Sequence, residues 1–177
     1  MKKVAILGIL IVGILFNSCS KSYDEYLEEG RELQSAKNYE ASLVSLDNAI
    51  KKAETGEQRI AANILAGNLA AKQLKDLDKA DAYFQATISD AGNFSAADLN
   101  DLAKQALAVQ ANNAAVNMYT LWFEKFSDAA NLVDVKYEFA EVYHKNILDL
   151  KKAISVYAEI VDNFPDSEQA PKALFSI

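Results

Sequence analysis

The stretch DLKKAISVYAEIV, Asp149 to Val161, carries the pattern that decides the fold. An aspartate able to cap a helix is followed four positions on by small Ala153, four further by bulky Tyr157, and then by the apolar pair Ile160-Val161. Such steps put these side chains on one face of an α-helix. NYEASLVSLDNAI from Asn38 and DLDKADAYFQATI from Asp76 repeat the pattern, with Ser42 and Ala80 small, Leu46 and Phe84 bulky, and Ala49-Ile50 and Thr87-Ile88 as the pairs. A further copy lacks the cap but keeps Ala115, Tyr119 and Trp122-Phe123 in the same places. The small residues lie 38, 35 and 38 positions apart, so four copies share one ruler.

Upstream of each copy lies a partner helix with small and bulky positions of its own. They are Tyr26, Gly30 and Leu33; Ile64, Asn68 and Ala71; Leu99, Ala103 and Ala106; and Tyr137, Glu141 and His144. The second set fits equally well with Gly67 at the small position. A helix pair cannot bury its apolar face alone, so small residues allow close approach and large ones fill the groove of the next pair. With few glycines and prolines and helical spacing throughout, the chain is read as all-α.

This pattern resembles the tetratricopeptide repeat, whose period is 34 residues. The resemblance implies an α-solenoid of antiparallel helix hairpins over 23–177, about four repeats plus a C-terminal helix that either caps the fourth or opens a fifth. Phe164-Pro165-Asp166-Ser167 matches the proline turn between repeats, with Pro165 stopping one helix, Ser167 capping the next and Pro171 in its first turn. The residues in excess of the period are expected in the loops ETGEQ near Glu54 and FSDAANL near Phe126.

The N-terminus reads as an address. Lys2 and Lys3 precede the apolar run VAILGILIVGILF, Val4 to Phe16. A helix of that length rises only about 20 Å against a hydrocarbon core of about 30 Å, which argues for a cleaved export signal over a permanent span. Ser18-Cys19 follows, and Cys19 is the only cysteine, with no partner for an internal disulfide. Phe16-Asn17-Ser18-Cys19 resembles the lipobox of bacterial lipoproteins, although Phe16 stands where that family prefers Leu. The resemblance implies a signal peptide over 1–18, a covalent lipid on Cys19 and a tether over 19–22. Ser20, rather than Asp, in second place implies the outer membrane, with the domain facing the periplasm or, as the other option, the cell surface.

Loss of the signal removes two lysines from 18 basic against 25 acidic residues, leaving a net charge of −9 that disfavours nucleic acid as a partner. Nothing points to an enzyme, a metal or a cofactor other than the lipid. His144 is the sole histidine and falls at a packing position, and the HExxH, CxxC and glycine-rich phosphate patterns are missing. Asp76 with Asp78, and Asp98 with Asp101, sit where helices start, where roles as caps and dipole partners account for them without metal. Tyr119, Trp122, Phe123, Phe126, Tyr143 and Tyr157 are expected in the core.

In tetratricopeptide arrays the first helices line a groove that holds a partner's peptide or helix. By register, the resemblance places in that groove Leu27, Arg31 and Gln34; Leu65, Leu69 and Lys72; Asn100, Lys104 and Leu107; and Glu138, Val142 and Lys145. The expected function is a membrane-anchored interaction scaffold of the bacterial envelope, binding protein rather than small molecules. Its layout is similar to that of the outer-membrane barrel-assembly lipoprotein. The alternative is a glycan- or nutrient-capture lipoprotein serving an outer-membrane transporter.

Overall fold

The computed structural model describes residues 21–177, so the stretch expected to be a signal peptide, the expected lipid attachment at Cys19 and Ser20 lie outside it. Helix α1 spans Tyr23–Ser35 and α2 spans Tyr39–Lys52. Helix α3, Gly56–Leu69, runs on through a π-helical turn at Ala70–Leu74, and α4, Leu77–Thr87, through a 3₁₀ stretch at Ile88–Asn93. Then come α5 at Ala96–Ala108, α6 at Asn112–Lys125, and α7 at Leu132–Glu141 with a second π turn at Val142–Ile147. Helices α8, Leu150–Asn163, and α9, Gln169–Ser176, complete the described chain. The architecture is an all-α solenoid of four hairpins, α1–α2, α3–α4, α5–α6 and α7–α8, with α9 packed against α8 and α7.

Local chemistry fixes the starts. Ser22 with Glu25, Thr55 with Gln58 and Ser95 with Asp98 form reciprocal capping boxes at the heads of α1, α3 and α5, each satisfying otherwise unpaired backbone N–H groups. Asp76 and Asp149 accept from the backbone N–H of Lys79 (3.0 Å) and Lys152 (3.1 Å). Asp76 is thus the cap of α4, and Asp98 completes the capping box of Ser95 from inside the first turn of α5. Asn38 makes no such side-chain bond. Thr55-x-x-Gln58 also corrects the expected loop: Gly56 to Gln58 already belong to α3, and the surplus residues of the second repeat sit in the π turn and the 3₁₀ stretch. The other expected loop does hold surplus residues, at 126–131 between α6 and α7.

All four hairpins turn through a non-glycine residue with positive φ: Lys37 (61°), Lys75 (59°), Gln110 (62°) and Leu148 (62°). In the first two hairpins the small position of the first helix lies directly against the second helix. The Ser42 hydroxyl donates to the Gly30 carbonyl (2.6 Å), and a Cβ added at Gly67 would lie 2.8 Å from the Phe84 ring. Gly67, not Asn68, is therefore the small position of the second hairpin. In the fourth, buried Ala140 takes that place beside Ala153 and Tyr157, and Glu141 is only half-buried.

Between hairpins the core is apolar and aromatic. Trp122, Tyr119, Tyr157 and Phe84 are fully buried. Phe139 contacts the rings of Tyr119 (5.8 Å between centroids), Phe123 (5.3 Å) and Tyr143 (5.0 Å), tying the third hairpin to the fourth. Polar bonds between hairpins add stitches, the Tyr83 hydroxyl donating to Asp47 (2.6 Å) and the Ala114 N–H to Asp81 (3.0 Å), while within the second hairpin Arg59 forks onto Asp90. At the proline turn Ser167 accepts from the Ala170 N–H (3.2 Å) and Pro171 lies exposed in the first turn of α9.

Candidate functional site

A mainly apolar cleft of about 350 Å³ opens where α5, α6 and α7 meet. Its floor comes from Leu107 at the end of α5, Tyr119 of α6, and Tyr137 and Val142 of α7 and its π turn. Lys104, Glu138, Glu141, Lys145 and Asn146 form the rim.

Every charge on that rim is paired. Lys104 bonds Glu138 (2.9 Å) across the cleft from α5 to α7, and Lys145 bonds Glu141 one turn back along its own helix. With its amide turned to satisfy both groups, Asn100 donates to Glu138 (3.2 Å) and accepts from Lys104 (3.1 Å). The Tyr157 hydroxyl donates to Glu141 from behind, with His144 Nδ1 3.5 Å away. Burial raises the Glu141 carboxyl, but the Lys145 ammonium and the Tyr157 hydroxyl outweigh it and leave the group below its ordinary value. Burial, reinforced by Glu138, pushes the Tyr119 hydroxyl well above the usual phenol range, so it stays a neutral donor. The cleft is thus an apolar slot with charge-balanced walls. An isolated anion or cation gains little there, whereas an apolar side chain flanked by main chain meets matching chemistry.

Of the residues placed in the groove by register, Lys104, Leu107, Glu138, Val142 and Lys145 come together here, and Asn100 adjoins them. Leu27, Arg31, Gln34, Leu65 and Lys72 lie outside this cleft, on the first two hairpins. Leu27 and Leu65 are half-buried against the apolar clusters of those hairpins, whereas Arg31, Gln34 and Lys72 are exposed. Leu69 is corrected outright: it is 1% exposed, packed with Leu43, Leu46 and Ala66, and has no surface to offer. Val142 is likewise almost wholly buried and serves only as wall. The cause is the π turn, which moves the small position one residue back. In α7 the outward stripe therefore becomes Tyr137 and Glu141, two lining residues that sequence register misassigned to packing.

A larger opening of about 550 Å³ lies at the heads of α3 and α5, lined by Thr55, Glu57, Asp90 and Asp98 among others. Its acids are already in use, Asp90 by Arg59 and Asp98 by Ser95. Among the described residues no group of three or more His, Cys, Asp or Glu side chains is placed to hold a metal ion, and no helix is long and apolar enough to cross a membrane. Trp122, Tyr119 and Tyr157 are core residues with no ring face free for stacking. Trp122 is fully buried with its indole N–H donating to the Ala96 carbonyl (2.8 Å).

The sequence matches no family model, and no curated protein qualifies as a relative. Solved structures of similar shape include a tetratricopeptide repeat protein from Parabacteroides merdae, 16% identical with a TM-score of 0.47, covering 87% of this chain. This chain spans 58% of that protein's length. Nearly identical TPR-like repeats of a Podosopora anserina putative kinesin light chain, and a point variant of them, are each 14% identical with a TM-score of 0.42. They cover 86% of this chain and 81% and 80% of their own. These likenesses are distant, and the repeat architecture rests on the chain's own geometry: four hairpins, one turn conformation and one small-to-large contact.

Proposed function

We propose that the protein is an envelope scaffold that holds an extended or helical segment of a partner protein by inserting one of its apolar side chains into the cleft between α5 and α7. The observation that carries this reading is the slot itself, with an apolar floor of Leu107, Tyr119 and Tyr137 under ion pairs that are already closed. Acylation of Cys19 and export by the leader would anchor the scaffold in the outer membrane facing the periplasm, with attachment to barrel assembly as the specific role. Several acyl chains hold a protein on a bilayer durably, whereas one is marginal. The glycan-capture alternative loses its best support with the burial of Trp122.

The test is a crosslinked pull-down of the tagged full chain from detergent-solubilised membranes, read by mass spectrometry beside Cys19→Ala and Leu107→Asp. Enrichment of a barrel-assembly channel that disappears in both variants is the expected result. Capture that survives Leu107→Asp would remove the cleft from the proposal. An unmodified Cys19 thiol in the mature protein would remove the anchor.

A further inference from the structure

Stacked antiparallel hairpins place their turns along one edge and the loops between hairpins along the other. The turns of the second, third and fourth hairpins border one shallow cleft of about 270 Å³, lined by Leu77, Gln110, Asn112, Asn146 and Ile147 among others. Charge divides between the two edges. From three residues before each turn residue to four after it, over 34–41, 72–79, 107–114 and 145–152, seven basic residues stand against four acidic. From the last turn of each second helix to the first turn of the next first helix, over 49–59, 90–99, 122–135 and 160–172, ten acidic residues stand against five basic. The helix dipole favours acids in a first turn and bases in a last one, so it does not account for this division. Lys79, Lys151 and Lys152 lie in the first turns of α4 and α8, and Asp162 in the last turn of α8.

The turn edge also carries exposed leucines. Leu148 is 72% exposed, Leu150 55% and Leu77 42%. Their exposure belongs to the edge itself. Leu77 opens α4 as Leu150 opens α8, and it stays exposed with the third and fourth hairpins stacked beyond it. Leu148 holds the turn position that Lys37, Lys75 and Gln110 hold elsewhere, and all three of those are exposed with further hairpins beyond them. Ile154 corresponds to Leu43 of α2, which the second hairpin buries, so it carries no weight here.

We infer that the turn edge docks on the surface of a bilayer containing anionic lipid. Leu77, Leu148 and Leu150 enter the boundary between headgroups and acyl chains, and the lysines face lipid phosphates. Charge complementarity selects this occupant. Residues 21–177 carry a net charge of −9, yet the leucines sit on the one edge with a basic surplus, and the acidic edge is held away from the same surface. An exposed leucine at a left-handed turn residue, φ 62°, gains little within the chain, whereas a bilayer supplies the apolar contact. With the proposed anchor, a tether of four residues reaches about 14 Å and α1 is about 20 Å long, so anchor and edge meet one leaflet when the helices incline by less than about 45° to it. Leu77, Leu148, Leu150, Lys151 and Lys152 lie outside the α5–α7 cleft, so this docking stands or falls independently of the scaffold reading.

The test attaches a polarity-sensitive fluorophore to the full chain carrying Cys19→Ala, either at Asn113→Cys on the turn edge or at Gly92→Cys on the loop edge. Both sites are exposed, and a side chain added at Gly92 meets nothing within 4 Å. Each labelled chain is reconstituted into vesicles of phosphatidylcholine and phosphatidylglycerol in about a 2:1 ratio, or of phosphatidylcholine alone. Both chains carry the same apolar run at 4–16, so the comparison reads which edge meets lipid. A blue shift at position 113, with quenching by spin-labelled lipid, is expected in the mixed vesicles alone, and none at position 92. Leu148→Asp, and Lys151→Glu together with Lys152→Glu, lie at exposed sites that leave the fold intact, and each should cut the quenching by about threefold or more. A water-like label at position 113 in the mixed vesicles would overturn the inference. An equal shift at position 92, an equal shift in phosphatidylcholine alone, or quenching that either variant leaves at full size would overturn it as well.

Discussion

The first and third hairpins turn directly out of α-helix, whereas the second and fourth turn out of a π-helical end. In α1 and α5 the turn is closed by bonds from the Asn38 N–H to the Leu33 carbonyl (2.8 Å) and from the Ala111 N–H to the Ala106 carbonyl (2.9 Å). In α3 and α7 the equivalent bonds span one residue more, from Asp76 to Ala70 and from Asp149 to Tyr143, both 3.0 Å. The turn residue keeps the same left-handed conformation in all four. An inserted residue has been absorbed inside the helix, leaving both the turn and the small-to-large contact unchanged. What the repeat preserves is therefore a contact and a turn; the helix between them is free to vary in length.

Breaking that shared contact should have the largest effect. Phe84 is fully buried over Gly67, and Phe84→Ala should cost about 3–5 kcal/mol, because the surrounding helices cannot close the cavity completely. The denaturant midpoint should fall without an increase in slope. A loss under about 1 kcal/mol would mean that the hairpin does not depend on the contact it has in common with its neighbours.

The same contact separates the two kinds of hairpin when a methyl group is added. At Gly67 a new Cβ would meet two atoms of the Phe84 ring at 2.8 Å, and a buried ring cannot step aside. At Gly30 the nearest atoms are the end of Leu46, at 3.0 and 3.1 Å, which a rotamer adjustment relieves. Alanine also favours the helix by about 1 kcal/mol over glycine at either site. Gly67→Ala should consequently destabilise by about 1–2 kcal/mol net, with Gly30→Ala within about 1 kcal/mol of neutral. Equal shifts in thermal midpoint would show that the π turn relaxes the second hairpin enough to accept the methyl group.

The second helices were legible in the sequence because their whole signature is local. A cap, a small residue and a bulky one fall within nine positions, as in Asp76, Ala80 and Phe84. The first helices were legible only where they are regular: Gly30 and Ala103 are the small positions expected. In α3 and α7 the extra residue hides in Ala70–Leu74 and Val142–Ile147, whose composition reads as ordinary helix, so Asn68 and Glu141 took places that belong to Gly67 and Ala140. That slip alone put Leu69 in the groove and left Tyr137 out of the cleft. The signal that exposes it is the spacing of the turn residues Lys37, Lys75, Gln110 and Leu148, which runs 38, 35 and 38 like the second helices, with Gly67 offered as an alternative one residue early. Thr55-x-x-Gln58 has the spacing of a capping box and marks the start of α3 in the sequence itself.

The smallest effect tests the turn itself. Leu148 holds φ at 62° with its side chain 72% exposed, so its branched chain gains little burial while a left-handed backbone costs a β-carbon-bearing residue about 1–2 kcal/mol. Glycine has no such penalty, but it gives the unfolded chain more freedom, which returns about 0.5–1 kcal/mol of the gain. Leu148→Gly should therefore stabilise the fourth hairpin by up to about 1 kcal/mol, read as a small rise in thermal midpoint. Lys75→Gly should do the same in the second hairpin, because the two turns leave π ends of the same kind. A gain at Lys75 with a loss at Leu148 would break the equivalence, and would mean that the Leu148 side chain contributes more to the fourth hairpin than its left-handed backbone costs.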